Sequence, residues 1–297
     1  MQLPTRRHWL LLGYLVITWG LAFYLIAIAL TAFHPVTIVW GRLTLGAVVM
    51  LALLGRRGGH LPRGWLWWRW LLVLSLTGNV VPFVLVAWAE RSVPSSEVGL
   101  LMALMPIMVL LMGHYFLDHE RMTVLKISGV LLGFSGVALL LGENLFSHID
   151  GVRLTGQLAA VVATACYAVN GIFTKRLPAF DTVSVSAGSL LVGSAILVWP
   201  MWRLQAWAPP AEFPGAWIAV GVLGIFATGV ATWAYFTVVS EVGPGFLSTI
   251  NYMIPGVAFT VGVLLLGEPA GGIQLFALGL ILAGVWLIQP RAAKALS

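Results

Sequence analysis

Charge is what this chain has least of. Only 9% of its 297 residues are Asp, Glu, Lys or Arg, while 60% are hydrophobic. A soluble domain carries roughly 25% charged residues, because water must wet its surface. A water-facing globular protein is therefore excluded, and lipid is the solvent for most of the chain. Cysteine is nearly missing too. The single Cys166, set in an apolar run, rules out an intrachain disulfide and any multi-cysteine metal centre, and reads as a small buried side chain. No His-Glu-x-x-His, Gly-x-Ser-x-Gly or Walker loop is present. His114 and His119, beside Asp118 and Glu120, are five apart rather than four and read as a solvated loop. No enzyme, no cofactor and no metal is expected. The net charge of +6 does not by itself imply nucleic acid, since placement of the basic residues decides its meaning.

What is present is a series of ten apolar segments, at about 9–31, 36–54, 68–91, 95–116, 123–142, 154–174, 183–202, 215–239, 245–266 and 271–289. Short loops holding Pro, Gly or charge separate them. The first follows Arg6-Arg7 as a secretion signal would, but its apolar run from Trp9 to about Thr31 exceeds a signal's core of about 7–15 residues. It is long enough to cross a bilayer, which takes about 20 residues. Such spans must be helical, because an unpaired backbone group in hydrocarbon costs several kcal/mol, and none alternates as barrel strands do. The expected fold is an all-α integral membrane protein of ten transmembrane helices.

Lys and Arg set the orientation. With the N-terminus inside, twelve fall on the cytoplasmic side and only Arg91, Arg153 and Arg203 outside, with Arg42 within the second span. That is a strong positive-inside bias, and ten spans return the C-terminus to the cytoplasm. The Trp65 to Trp70 stretch and the Trp199, Trp202 and Trp207 group read as interface anchors. A multi-pass protein of the bacterial cytoplasmic membrane, with both termini cytoplasmic, is expected.

The chain also echoes itself at half its length. Val93 to Pro106 and Val242 to Pro255 each open on turn residues, run apolar and meet a proline, and the two prolines are 149 residues apart. His119-Glu120 and Gly267-Glu268 are 148 apart, as are Gly136-Val137 and Gly284-Val285. Residues 1–147 and 148–297 thus read as two repeats of five spans. Five is odd, so the second enters the membrane from the opposite face: an inverted repeat, the plan of many carriers whose substrate binds near midplane. Pro106 lies eleven residues into its span and Pro255 ten into its own, about 16 and 15 Å at 1.5 Å per residue. Starting from opposite faces, both arrive near the centre of a core about 30 Å thick.

A proline inside a helix removes one hydrogen bond and pushes away the carbonyl four residues earlier. Pro82, Pro106 and Pro255 are therefore candidate hinges. Candidate substrate-binding residues near midplane are Trp19, Asn79, Met102, Tyr167, Asn170, Trp233, Asn251 and Tyr252, and Thr228 is a further polar side chain at that depth. An asparagine in hydrocarbon needs a partner, another helix or a ligand. Indole and phenol rings offer a flat apolar face and one donor, suited to an aromatic or heterocyclic ligand. For each alone, packing is the plainer reading. No acid or base stands near the middle of any span by this count, so an uncharged, ring-lined cavity is expected. Arg42, Glu90 and Glu97 lie nearer the ends and are candidates for a vestibule or for coupling, although Glu97 also suits a helix N-terminus and Arg42 reads equally as snorkelling or as paired with Glu90 or Glu97. Gly129-x-x-x-Gly133 permits close helix approach, either within the chain or with a second copy in a homodimer.

Trp19-Gly20, Arg42, the stretch ending in Pro106, Glu120, the glycine-rich runs Gly133 to Leu140 and Gly279 to Leu287, Pro255 and Gly267-Glu268-Pro269 together resemble the EamA family of the drug/metabolite transporter superfamily. The resemblance covers nearly the whole chain. It implies two inverted five-helix halves and export of small metabolites such as amino acids, nucleobases, vitamins or drugs. The ring-rich spans resemble YddG-type exporters of aromatic amino acids. The second half departs from the pattern where Tyr167-Ala168 stands in place of Trp-Gly. The function expected is a secondary carrier of aromatic or neutral amino acids working by alternating access. Efflux of nucleobases, vitamins or drugs is the alternative, and an intramembrane enzyme a distant third.

Overall fold

In the computed structural model, residues 3–116, 122–147, 151–178, 181–206 and 213–288 are described. They form ten apolar helices: α1 (Arg6–Leu30), α2 (Pro35–Arg56), α3 (Trp65–Ala89), α4 (Ser95–Phe116), α5 (Val124–Ser147), α6 (Gly151–Arg176), α7 (Thr182–Arg203), α8 (Pro214–Glu241), α9 (Ile250–Leu266) and α10 (Gly272–Ile288). The first eight are long and apolar enough to cross a membrane. Helices α9 and α10 are shorter, at 17 residues each, and a single turn, Pro244–Leu247, precedes α9. The loop containing Asp118, His119 and Glu120, together with Trp207, lies outside the described residues.

Local chemistry fixes several ends. Pro35 opens α2, with the ring of His34 accepting the Val36 N–H at 3.3 Å, and the carboxylate of Asp181 caps α7 by accepting the Ser184 N–H at 2.9 Å. Helix α9 stops at Gly267, whose φ of +68° is left-handed and suits glycine. Large side chains such as Leu131, Leu264, Phe276 and Trp286 stand exposed on the outer flanks, where acyl chains rather than water would meet them. Trp65, Trp199 and Trp202, also exposed, sit at helix ends as interface anchors do.

Packing runs mainly between the halves. Helix α1 lies on α8 and α9, and α6 lies on α3 and α4; α2 pairs with α7, α4 with α9, and α5 with α10. Adding five to each number maps this list onto itself, as a two-fold repeat requires. Near the α2–α7 crossing, the Thr44 and Ser194 hydroxyls, 150 positions apart, meet at 2.6 Å. Helices α5 and α10 touch backbone to backbone: a Cβ on Gly284 would come 2.5 Å from the Gly129 carbonyl oxygen, and one on Gly136 would come 2.8 Å from that of Ala277. The glycine face thus serves packing within the chain.

Two helices change pitch in mid-course. Residues Leu76–Val80 of α3 and Ile225–Val230 of α8 are π-helical, a widened turn that breaks the regular hydrogen-bond ladder and often marks functional positions. Pro82 lies two residues past the first, whereas α8 has no proline at its own, so the wide turn is the shared feature. In α4 the helix is interrupted at Ala103 and Leu104, where the bonds tighten to Ala103 N–H on the Leu100 oxygen and Leu104 N–H on the Leu101 oxygen, and Pro106 is the second residue of the piece that follows, Met105–Phe116. Pro255 differs. It lies buried inside α9, and the irregular turn comes at Ser248 and Thr249, six residues earlier.

Candidate functional site

The π-turns, midway along α3 and α8, gather a cluster of polar contacts. Both contain Thr-Gly: Thr77-Gly78 in α3 and Thr228-Gly229 in α8. Thr228 donates to the Leu223 carbonyl at 2.9 Å and accepts the Arg42 Nε–H at 2.7 Å. Helix α2 reaches it closely because Gly46 faces the Thr228 methyl, where a Cβ would come within 2.7 Å. The Arg42 guanidinium lies 3.9 Å above the centre of the Phe83 ring from α3, a cation–π contact that gains strength away from water. Phe83 in turn stands 6.4 Å from the Tyr167 ring of α6. Tyr167 and Glu90 are both within electrostatic reach of Arg42.

This overturns the expectation of an uncharged centre. Arg42 is buried, at 7% exposure, against the middle of α8. Neither snorkelling nor pairing with Glu97 describes it.

The first helix of each half braces the π-turn of the other. From α1, the Trp19 indole N–H donates to the Ala227 carbonyl at 3.0 Å and the Tyr14 hydroxyl to that of Phe226 at 2.8 Å. From α6, the Asn170 amide donates to the Leu74 carbonyl and to the Thr77 hydroxyl, each at 3.1 Å. Trp19 also lies 5.9 Å from the Tyr235 ring. Trp19, Met102, Trp233 and Tyr252 all edge the main apolar core, half-buried, and the Tyr252 hydroxyl is shut off from solvent without a hydrogen-bond partner. Asn79 and Asn251 are likewise half-buried.

Glu97 stands apart from this group. Its carboxylate is buried and accepts from Arg153 Nη2 at 2.6 Å and from the Gln157 amide. Glu97 does stand in the first turn of α4, and it shares that N-terminus with Glu268, in the loop after α9, whose two oxygens accept the backbone N–H groups of Ser95 and Ser96 at 2.7 and 2.8 Å. On the other face, Glu241 at the end of α8 meets His8 Nε2 at 2.7 Å and Arg7 at 3.4 Å. Glu90, the residue after the last turn of α3, has both oxygens buried with no hydrogen-bond partner.

Sequence reasoning singled out Arg42, Tyr167 and Glu90, which come together, but did not pick Phe83, Glu268, Arg153 or Gln157. The doubled Thr-Gly was the available signal for the π-turns, and Glu268 stood at the half-length echo.

Comparison with known proteins gives the same architecture a lineage. A solved structure titled only as a protein crystal structure superposes over 95% of this chain and 96% of its own, with a TM-score of 0.67 and 22% identity, which establishes the fold. An uncharacterized transporter of Archaeoglobus fulgidus is 27% identical, covering 95% of this chain and 98% of the relative. A probable terminal-alkyne amino-acid exporter of Streptantibioticus cattleyicolor is 28% identical, covering 93% and 91%. The uncharacterized inner membrane transporter YedA of Escherichia coli K12 is 26% identical, covering 92% and 88%. The EamA-like transporter family profile matches twice, over residues 7–142 and again over 154–289, and this multi-pass membrane protein belongs to that family of transporters.

Proposed function

We propose that the chain exports aromatic or other neutral amino acids across the bacterial cytoplasmic membrane by alternating access, with both termini cytoplasmic. Residues 1–147 and 148–297 act as the two halves of one transport unit. The observation that carries this reading is Arg42, pinned through Nε to Thr228 and stacked on Phe83 beside Tyr167. A guanidinium held this way keeps its terminal nitrogens as a fork, the geometry that matches a carboxylate. The surrounding rings suit an aromatic side chain. Trp19, Asn79, Met102, Asn170, Trp233, Asn251 and Tyr252 complete the substrate-facing set. The amino-acid exporter among the relatives supports the same substrate class.

In this reading α3, α4 and α9 flex at Pro82, Pro106 and Pro255, with the π-turns of α3 and α8 as the compliant segments. The interrupted stretch ahead of Pro106 supports a hinge there.

Counterflow of labelled amino acids in proteoliposomes tests the proposal. Wild type exchanges phenylalanine or tryptophan. Arg42→Lys keeps the charge but loses the planar fork, and exchange falls about tenfold or more, the equivalent of about 1.4 kcal/mol. Exchange of nucleobases, vitamins or drugs with no amino acid moved would replace this substrate class by the other. Pro106→Ala slows exchange without abolishing binding; unaltered exchange removes the hinge.

A further inference from the structure

Glu90 is the buried acid that the transport reading leaves without a task. It caps the C-terminal end of α3, where the helix dipole disfavours negative charge. Neither carboxylate oxygen reaches solvent or accepts a hydrogen bond.

Its charged surroundings do not compensate. Arg42 of α2 acts on it electrostatically but spends Nε on Thr228 and its face on Phe83, and the two make no ion pair within 4.0 Å among the described residues. Glu268 of the α9–α10 loop also acts on it, and that carboxylate is fixed by the Ser95 and Ser96 N–H groups, so a second anion would face the first. Arg91, next in the chain, makes no ion pair with it within 4.0 Å among the described residues, and its charge bears on His34. Glu97 of α4 and Arg153 of α6 form an ion pair at 2.6 Å, and Tyr167 of α6 lies within electrostatic reach of Arg42. An ionised carboxylate with no donor, sealed from water beside another carboxylate, is far less favourable than its neutral acid.

We propose that Glu90 is a proton-binding site: a carboxylic acid in the arrangement seen here, closed to water at both of its oxygens, which loses its proton when the bundle opens and water reaches it. The inference rests on the transport reading for its use, not for its existence. The sign of the linkage follows directly. Neutral Glu90 belongs to the closed arrangement, so acid favours closure, while rising pH withdraws that stabilisation and favours the hydrated, open one. Each cycle of opening and closing then releases and takes up one proton.

Two readouts test this. Infrared spectra of the purified, lipid-embedded protein at neutral pH are expected to show a protonated carboxyl C=O band that Glu90→Gln removes. Amino-acid counterflow in wild type is expected to fall about tenfold per pH unit on the acid side, the limit for one linked proton, and to lose that dependence in Glu90→Gln. No such band in wild type, a band that survives Glu90→Gln, or a pH profile unchanged by the substitution overturns the proposal. Should Glu90→Gln not fold, Glu90→Asp, which shortens the side chain and keeps the acid, is expected to shift the band and the profile rather than remove them; leaving both unmoved overturns it. If wild type moves no amino acid while the band is present and lost in Glu90→Gln, the substrate reading fails and the proton site stands.

Discussion

Glu268 and Ser95 belong to opposite halves of the chain, and the carboxylate of the first accepts the backbone N–H of the second at 2.7 Å, with Ser96 adding another at 2.8 Å. Helix α4 opens on Pro94, which has no side-chain donor or acceptor to cap it. The second half therefore supplies what the first turn of α4 lacks. Glu268→Ala removes both bonds, and a charge-assisted bond contributes about 1.5–3 kcal/mol. A lower Tm in detergent is expected, with Glu268→Gln, which keeps one acceptor oxygen, falling between. An unchanged Tm in Glu268→Ala would mean that water caps α4 equally well.

The indole of Trp19 serves the π-turn of α8 through one hydrogen bond to Ala227. Trp19→Phe keeps most of the ring but removes the donor, and losing a hydrogen bond of this kind costs about 0.5–1.5 kcal/mol. Both Tm and exchange rate are expected to drop. Asn170→Leu is expected to do the same to α3, since it strips a donor from the Leu74 carbonyl.

Gly284 and Gly279 share α10 but not its contacts. A Cβ on Gly284 meets the Gly129 oxygen at 2.5 Å and the Gly133 nitrogen at 2.7 Å, and backbone cannot step aside as a side chain can. Gly284→Ala is expected to cost about 1–3 kcal/mol through forced separation of α5 and α10, read as reduced yield and Tm. Gly279→Ala, with nothing within 4 Å, is the control and is expected to be neutral or stabilising.

His34 gives the protein a pH response outside the membrane. Burial, and then the charge of Arg91, hold its imidazole below the usual histidine value. The neutral ring accepts the Val36 N–H and caps α2; the protonated ring cannot. The stabilisation is therefore fully present above the ordinary histidine value near 6.5 and is lost as pH falls through the lowered one. His34→Asn retains a capping oxygen without a titrating group. Its Tm is expected to lose this part of the pH dependence, and a variant that keeps the same dependence would move the effect elsewhere.

Ten spans, their parity and the half-length echo were legible in the sequence because lipid imposes long apolar helices and the loops between them are short. The π-turns were not, since a widened turn changes no hydrophobic period; only the doubled Thr-Gly at 77–78 and 228–229 marks them. Arg42 misled because depth was counted along its own helix. Its long side chain carries the charge away from its Cα, and Gly46 lets α8 approach closely enough to receive it. Glu97 does stand in the first turn of α4, but its side-chain partners, Arg153 and Gln157, were not legible because they are 56 and 60 residues away. Pro106 and Pro255 look alike in sequence yet sit differently, one beside a break and the other within a continuous helix.

The exchange of donors between the two π-turns constrains how the protein is made. A ribosome delivers α1 to α5 first, and at that moment the Leu74 carbonyl and the Thr77 hydroxyl have no Asn170 to receive, while the Trp19 indole has no Ala227 to grip. The leading five helices must wait in the bilayer half-assembled, and the trailing five dock as the missing complement. Produced from separate messages, the two pieces are expected to be each other's scaffold, each maturing only when its sibling is co-expressed.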